Sequence, residues 1–143
     1  FLVWRAQIQS CTSVALHVRR GDYLIHPNHL VLPLQYYQNA LSYMDAMKKD
    51  VEVFVFSDDL DWCREHFEDC HFVELPEDYL EFELMRECKH FIIANSTFSW
   101  WAAYLSMNAT VIAPKKWWRN SVNGCAVYER RMTQEGWMHI NLS

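Results

Sequence analysis

The chain has 143 residues, of which 51% are apolar and 22% are charged, and its formal net charge is −5. This length suits one domain that buries roughly two thirds of its unfolded surface, and the composition is typical of a folded protein rather than a disordered segment. The negative charge argues against a nucleic-acid partner, because binding to a phosphate backbone usually needs a broad basic surface. We therefore expect a single domain, residues 1–143, in which any basic site is local.

Cysteine usage and hydropathy indicate the class of compartment. The five cysteines are an odd number without dense spacing, which favours a reducing compartment over a disulfide scaffold. No apolar run approaches the roughly 18 residues of a membrane span. Because the chain opens on Phe1 rather than Met, we expect a fragment of a longer protein, in which a membrane anchor could precede it.

Five short runs rich in β-branched and aromatic residues predict strands, and helical spacing fills the stretches between them. We expect strands at residues 14–18, 51–56, 72–75, 91–94 and 110–113. We expect helices over residues 34–49, from Asp58 or Asp59 to about 67, from Asp78 to 88, and from Ser96 or Thr97 to about 107. In the first helix the apolar positions Tyr37, Leu41, Met44 and Met47 recur every three or four residues. The tail from Lys115 is less regular, with an edge strand expected around 137–141.

Strands that alternate with helices predict right-handed crossovers and a parallel sheet covered by helices on both faces. The runs 51–56 and 91–94 are almost continuously apolar, which is typical of strands buried on both sides. The predicted fold class is therefore α/β, a doubly wound, mainly parallel, Rossmann-like sheet.

Compact polar clusters follow three of the predicted strands. They are His17, Arg19, Arg20, Gly21 and Asp22; then Ser57, Asp58 and Asp59; then Asn95, Ser96, Thr97 and Ser99. In an open parallel sheet these clusters lie along one edge, where ligands bind. Guanidiniums, hydroxyls and helix N-termini at that edge favour an anionic ligand, such as a nucleotide or a phosphorylated sugar.

Each cluster also has a purely structural interpretation. His17 and Arg19 share one face of the sheet if the strand continues, and Arg20 turns to the other; yet Arg19 and Asp22 could simply form an ion pair. Asp58 can accept hydrogen bonds from a base or ribose, or cap a helix. For the third cluster we expect the hydroxyls to face outward and Trp101 to pack inward.

Two metal sites are possible on residue type alone. Zinc could use Cys63 and His66 with Cys70, His71, Cys88 or His90, although buried cysteine is more often a small core residue. Asp59 and Asp61 form a DxD pattern, although a helix start would point the two carboxylates apart. The sequences GxSxG, GxGxxG and GxxxxGK[ST] are absent, so a hydrolytic elbow and glycine-rich phosphate loops are not indicated.

Three strings of residues carry a family resemblance. Residues 17–23 read HVRRGDY, residues 56–59 read FSDD and residues 84–101 read LMRECKHFIIANSTFSWW. In order and spacing, over about residues 14–118, they closely resemble the α-1,2-fucosyltransferases of glycosyltransferase family 11. The resemblance implies the C-terminal, donor-binding half of a GT-B-type glycosyltransferase, whose N-terminal acceptor-side domain this chain lacks.

The implied reaction is transfer of L-fucose from GDP-β-L-fucose to the 2-hydroxyl of a terminal galactose, with inversion and without an obligatory metal or other cofactor. The implied partners are GDP-fucose, a galactoside or glycan acceptor, and the missing domain. The implied location is the cytoplasm or membrane periphery in a bacterium, or the Golgi lumen in an animal. The alternative is a non-catalytic nucleotide-sugar-binding module.

The resemblance also implies residue roles. Arg19 contacts the β-phosphate, and Arg20 and His17 are neighbouring donor contacts. Asp58 lies near the guanosine, and the phosphates and base lie near Ser96, Thr97 and Phe98. Asp22 is the candidate general base, with His17 second. The chain departs from the family where Arg86 replaces a commonly small residue, and it lacks the glycine-rich N-terminal motif.

Overall fold

The computed structural model describes residues 1–119 and 125–143. In chain order its elements are α1 (Leu2–Gln9), β1 (Thr12–Val18), a 3₁₀ turn (Asp22–Leu24), α2 (Leu34–Met47), β2 (Val51–Ser57), α3 (Leu60–His66), β3 (Cys70–Phe72), α4 (Asp78–Arg86), β4 (His90–Ile92), α5 (Thr97–Tyr104), β5 (Val111–Pro114), α6 (Cys125–Met132) and β6 (Met138–Ile140). Strands and helices alternate as the sequence pattern predicts.

The described strands form one six-stranded sheet in the order β3-β2-β1-β4-β5-β6, and every neighbouring pair is parallel. This is the strand order of a Rossmann fold. β1 pairs with β2 along its full length, up to Val18 opposite Ser57, and β4 lies on its other side. The predicted doubly wound, Rossmann-like fold is confirmed, and the point where the strand order reverses lies between β1 and β4.

Alternate residues of the central strands face opposite layers of helices. Val14 and Leu16 pack with α2 and α3, whereas Ala15 and Phe54 pack with α1, α4 and α5. Burying one leucine or phenylalanine side chain contributes about 1.5–3 kcal/mol. The two apolar layers therefore hold the sheet from both sides, and its carboxyl edge is left for polar loops.

The buried side of α2 includes most of the apolar positions that the sequence spacing indicates. The helix buries Tyr36, Tyr37, Ala40 and Met44. Leu41 is partly buried and packs against the same core layer, whereas Met47 is 40% exposed. The Tyr36 hydroxyl donates to the Ile93 carbonyl, 2.7 Å away, which ties this face of the helix to the chain just beyond β4.

The ends of the short strands also differ from prediction. β3 and β4 each begin and end earlier than the runs 72–75 and 91–94. Val73 and Ile93 lie just beyond the strand ends and are fully buried, and their N–H groups still donate to the Val55 and Ile112 carbonyls, each at 2.9 Å. The predicted edge strand in the tail is confirmed as β6, which lies at the edge of the sheet.

Two of the three helices for which we predicted an N-terminal capping side chain have one. Asp59 caps α3 by accepting from the Trp62 N–H, and Ser96 caps α5 by accepting from the Phe98 N–H. α4 begins at Asp78 itself, without a side-chain cap. α1 and α6 were not predicted. Across residues 1–119 and 125–143, the structure contains no helix with the length and apolar character needed to cross a bilayer.

Candidate functional site

The three predicted clusters meet at the carboxyl edge of the sheet. The loop after β1 (residues 19–22), the end of β2 with its loop (57–59) and the start of α5 (96–98) border a cavity of about 150 Å³, although Ser96 and Thr97 do not line it. We call these three segments, together with His17, the switch-point site. The cavity is lined by His17, Arg19, Phe56, Ser57, Asp58, Asp78, Glu81 and Phe98. Ligands of open parallel sheets bind in this position.

Arg19 brings a partly exposed positive charge to the cavity. Its Nη2 donates to Asp22 Oδ1 at 2.8 Å, and its Nε lies 3.4 Å from Asp58 Oδ2. The Nε–H is buried without a hydrogen-bond partner in the described residues, and 34% of the side chain is exposed. The predicted structural ion pair is therefore present, but exposed pairs contribute at most about 1 kcal/mol, so an anion can compete for the guanidinium.

Arg20 lies two residues beyond β1 and turns away from the cavity, to the side of the sheet that the alternation of the strand predicts. Its Nε donates to Asp59 Oδ2 at 3.2 Å, and its guanidinium lies over the Trp62 ring, 4.1 Å from the centroid. Both partners belong to the start of α3, on the opposite side of the sheet from His17. This geometry favours an anchoring role for Arg20, whereas the resemblance implied a direct donor contact.

Asp58 braces the loop that carries the two arginines. Its Oδ1 accepts from the Arg20 backbone N–H at 2.9 Å, and its Oδ2 faces Arg19. A Cβ at Gly21 would lie 3.2 Å from the Asp58 Cγ and closer still to Oδ2, so any side chain there would force the Asp58 carboxylate to shift. Both carboxylate oxygens thus have partners within the protein, which the expected contact with guanosine did not anticipate.

His17 lies almost fully buried behind the cavity. Its Nδ1 is 2.7 Å from Ser99 Oγ, and its ring packs against Phe98 with the centroids 5.4 Å apart. Burial, with a smaller contribution from the Arg19 cation, lowers the pKa of His17 to about 3. The imidazole is therefore neutral at ordinary pH and is a poor proton acceptor.

The start of α5 presents backbone N–H groups toward the carboxyl edge. Ser96 Oγ accepts the Phe98 N–H at 3.3 Å, and the other N–H groups of a first helical turn have no partner within the helix. Thr97 is exposed, but Ser96 and Ser99 are buried, so the expectation of outward hydroxyls holds only for Thr97.

The tryptophan prediction on α5 was wrong by one residue. Trp100 is 8% exposed and its Nε1–H donates to the Met132 carbonyl at 2.9 Å, whereas Trp101 is 49% exposed. Ser99 and Ala103 are buried on the same helix, and Trp100 lies next to Ser99 and three residues before Ala103. The helix therefore turns Trp101 toward solvent.

Two acidic residues of the cavity were not assigned to the site from sequence. Asp78 and Glu81 lie in the first turn of α4. Glu81 Oε1 accepts from the Leu75 N–H at 3.2 Å, and burial raises the pKa of Glu81. Acidic residues are common in the first turn of any helix, so the local pattern contains no signal that they border a cavity.

Asn95 supports the site from behind. Its side-chain Nδ2 donates to the backbone carbonyls of Leu30 and Trp117, at 2.7 and 2.8 Å, and its backbone carbonyl accepts from the Tyr23 hydroxyl at 3.0 Å. The Arg19 guanidinium lies 5.3 Å from the centroid of the Tyr23 ring. Asn95 thus joins two loops to the strand end and supports the surroundings of Arg19.

The sequence profile of glycosyl transferase family 11 matches residues 4–141, nearly the whole chain. The chain belongs to glycosyl transferase family 11. The matched range runs through β1 to β6 and includes all three polar clusters. The family resemblance of the motifs is therefore confirmed over a longer stretch than they cover.

Curated relatives of this family 11 chain include enzymes from bacteria and mammals. The O-antigen biosynthesis glycosyltransferase WbnK of Escherichia coli is 32% identical, over 92% of this chain and 46% of WbnK. An alpha-1,2-colitosyltransferase of Escherichia coli is 33% identical, over 82% and 47% of the two chains. Galactoside alpha-(1,2)-fucosyltransferase 1 of Mus musculus is 36% identical, over 74% and 31%. The chain thus spans half or less of these relatives, and no solved structure matches it.

The metal-ligand alternatives are not assembled in this family 11 domain. Among residues 1–119 and 125–143, no three His, Cys, Asp or Glu side chains form a group that could hold a metal ion. Cys63 is fully buried in the apolar layer under α3. Asp59 turns back to cap α3, whereas Asp61 pairs with Arg64 at 3.3 Å, so the two carboxylates diverge.

Proposed function

We propose that this family 11 chain is the donor-binding half of a fucosyl-type transferase. The proposed reaction transfers L-fucose from GDP-β-L-fucose to the 2-hydroxyl of a terminal galactose, with inversion and without an obligatory metal or other cofactor. The observation that carries the proposal is the partly exposed Arg19 guanidinium, placed at the switch point near the start of α5. The name of the mouse relative supports the choice of donor sugar and linkage.

The site can stabilise the charge that develops on the leaving nucleotide. As the bond from fucose to the β-phosphate oxygen breaks, negative charge grows on GDP. The fork of the Arg19 guanidinium suits two phosphate oxygens, and the N-terminus of α5 adds a dipole of favourable sign. Hydrogen bonds within the protein already hold both groups in position, which makes such stabilisation effective.

Asp22 is the proposed general base for the acceptor hydroxyl. Its carboxylate is 60% exposed and pairs with Arg19. A phosphate that binds Arg19 competes for the same guanidinium, which frees the Asp22 carboxylate beside the reacting centre. His17 is the weaker candidate, because its lowered pKa disfavours the protonated form.

The acceptor is proposed to bind between this chain and an N-terminal acceptor-side domain of the same protein. The chain covers 46% of WbnK and 31% of the mouse relative, so those proteins are long enough for a further domain. The proposed location is the cytoplasm or membrane periphery in a bacterium and the Golgi lumen in an animal.

Radiolabelled transfer from GDP-fucose to lactose tests this proposal. A protein that contains this chain with an acceptor-side domain should transfer fucose, and EDTA should leave the rate unchanged. No transfer by that protein would contradict the proposed activity, and loss of transfer in EDTA would contradict metal independence. GDP binding without transfer would instead support a non-catalytic nucleotide-sugar-binding module.

A second donor sugar is worth testing in the same assay. The relative named alpha-1,2-colitosyltransferase is 33% identical to this chain, which favours nucleotide-linked colitose as the competing donor. Because specificity is a ratio of kcat/KM values, both donors should be compared at one acceptor concentration. We expect GDP-fucose to have a higher kcat/KM than the colitosyl donor.

A further inference from the structure

A buried serine and a buried histidine lie together behind the cavity. The proton in the hydrogen bond between them decides whether the free ring nitrogen of the histidine is a donor or an acceptor. Ser99 in α5 is fully buried, and His17 in β1 is 5% exposed. Ser99 Oγ and His17 Nδ1 are 2.7 Å apart and 82 residues apart in sequence. The pair therefore joins the two elements that flank the switch point.

The distances indicate the direction of this hydrogen bond. The Ser99 hydroxyl has two acceptors within reach, the Ser96 carbonyl at 3.4 Å and His17 Nδ1 at 2.7 Å. Hydrogen bonds from hydroxyl groups are best near 2.7–2.8 Å and weaken at longer distances. In the alternative arrangement an Nδ1–H donates to Ser99 Oγ and the hydroxyl donates to the Ser96 carbonyl, which relies on the longer 3.4 Å contact. We assign the hydroxyl proton to the shorter contact, toward Nδ1. A neutral imidazole carries one N–H, so an Nδ1 that accepts leaves the ring proton on Nε2.

Burial keeps the ring in this singly protonated form. Removal from water, together with the nearby Arg19 cation, lowers the pKa of His17 to about 3. The ring lines the cavity beside Arg19 and Phe98. Because Ser99 occupies Nδ1, Nε2 is the nitrogen left for the cavity.

We propose that Ser99 is a positioning residue that fixes His17 as the Nε2–H tautomer, so that His17 offers a neutral hydrogen-bond donor to a nucleotide in the switch-point site. The partner atom is a hydrogen-bond acceptor of a nucleoside diphosphate, either a phosphate oxygen or an acceptor atom of the base. The identity of this ligand rests on the proposed function, whereas the tautomer does not.

A neutral donor and a cation act differently in one site. The exposed Arg19 guanidinium attracts negative charge over a range of directions, whereas an N–H on a buried ring is directed at one position. The opposite tautomer would turn a lone pair of His17 toward the ligand and repel an acceptor atom. Ser99 therefore contributes to ligand orientation through His17 without touching the ligand.

Nitrogen-15 correlation spectra of histidine-labelled protein measure the tautomer directly. We expect His17 in the wild-type chain to show an unprotonated Nδ1 and a protonated Nε2 at neutral pH. An Nδ1–H ring, or a ring protonated at both nitrogens, would overturn the proposal. Because this measurement uses the unaltered protein, it decides the matter even if a variant fails to fold.

Substitution of Ser99 tests the link to the ligand. Ser99→Ala should reduce the Nε2–H fraction and weaken GDP binding about 3- to 10-fold, the effect of one lost hydrogen bond. Ser99→Thr retains the hydroxyl and should restore the tautomer. Ser42→Ala is the control, because Ser42 is an exposed helical serine that donates to the Gln38 carbonyl at 3.0 Å.

The outcomes for this proposal and for the proposed function can be distinguished. A folded Ser99→Ala variant with unchanged tautomer and GDP affinity would overturn the positioning role. Conversely, an Nε2–H ring in a wild-type protein that does not bind GDP would contradict the proposed function and support the Ser99–His17 arrangement.

Discussion

The two edges of the sheet carry similar arginine pairs in opposite electrostatic settings. Arg19 at the carboxyl edge pairs with Asp22, and Arg86 at the amino edge pairs with Glu83, each three residues apart. The exposed fractions of the two arginines are 34% and 37%. Arg86 lies in the last turn of α4, where the helix dipole favours a cation whether or not a ligand binds. Arg19 lies beyond a strand, close to the start of α5.

The larger cavity lies at the amino edge, not at the carboxyl edge where we propose that the donor binds. The cavity beside Arg86 has a volume of about 550 Å³, against about 150 Å³ at the switch-point site. At the amino edge, however, the Lys89 ammonium donates to the Cys11 carbonyl, and the helices end there with carbonyl groups that favour cations over anions. The direction of the backbone dipoles therefore favours an anion at the carboxyl edge, although the larger cavity lies at the amino edge.

The largest expected contrast concerns one histidine at each edge. Burial lowers the pKa of His17 to about 3, and it also lowers the pKa of His90 at the start of β4. Unfolded histidine binds a proton near pH 6.5, so unfolding takes up a proton between that pH and the folded pKa, and stability falls as the pH drops. We expect His17 to contribute a loss of about 1.4 kcal/mol per pH unit, or roughly 3 kcal/mol by about pH 4.

Denaturant unfolding between pH 7 and pH 4 measures this contribution. His17→Gln should flatten the dependence of unfolding free energy on pH, and His90→Gln should flatten it less, because His90 is only partly buried. Equal slopes in the wild type and His17→Gln would show that the imidazole is not held neutral.

A smaller contrast concerns two glycines. Gly21 at the carboxyl edge is needed for close approach to Asp58, whereas Gly136, before β6, has a φ of +84° and open space around it. Gly21→Ala should lower the free energy of unfolding by about 2 kcal/mol through crowding. Gly136→Ala should lower it by about 1 kcal/mol through backbone strain.

A double substitution separates crowding from other effects of Gly21→Ala. In the Asp58→Ala background the added methyl group meets no carboxylate, so Gly21→Ala should be less harmful there than in the wild type. Urea unfolding of the wild type, the two single variants and the double variant gives the coupling energy between the two positions. Strictly additive losses would contradict the close contact between the two loops.

The smallest contrast compares the two ends of α5. Ser96 caps the N-terminus at the carboxyl edge, and Ser106, near the other end, donates to the Ala102 carbonyl at 2.8 Å. Ser96→Ala should lower the free energy of unfolding by about 1 kcal/mol, and Ser106→Ala by less than about 0.5 kcal/mol. Equal losses in thermal unfolding would show that the capping bond is not important here.

Much of the fold could be predicted because a strand that is buried on both faces has a continuous apolar run in its own sequence. Continuous apolar runs such as residues 51–56 indicate a parallel sheet, and the structure confirms it. The strand order could not be predicted, since right-handed crossovers allow several orders. α1 escaped prediction although Phe1, Trp4 and Ile8 recur at helical spacing and pack on one core layer. The exposed apolar residues Leu2 and Val3 stand between them and blur the stripe in the sequence.

The site was predictable where residues share a strand and not where distant loops meet. His17 and Arg19 are two residues apart and line the same cavity, as the strand period implies. The hydrogen bond from the Arg20 N–H to Asp58 joins residues 38 positions apart, and no local sequence pattern predicts it. Trp101 was misplaced because a one-residue error in helix phase turns a side chain by about 100°, enough to move it from the buried face toward solvent.

Calorimetric titration with GDP tests the central claim most directly, with Arg19→Ala compared to Arg86→Ala in a protein that contains this chain. If the carboxyl edge is the donor site, the wild type binds GDP and Arg19→Ala weakens binding about 10- to 100-fold, as expected for loss of charged hydrogen bonds. Arg86→Ala, with its similar exposure and pairing, should leave the affinity unchanged. No GDP binding by the wild type, or equal affinity in Arg19→Ala, would contradict the account.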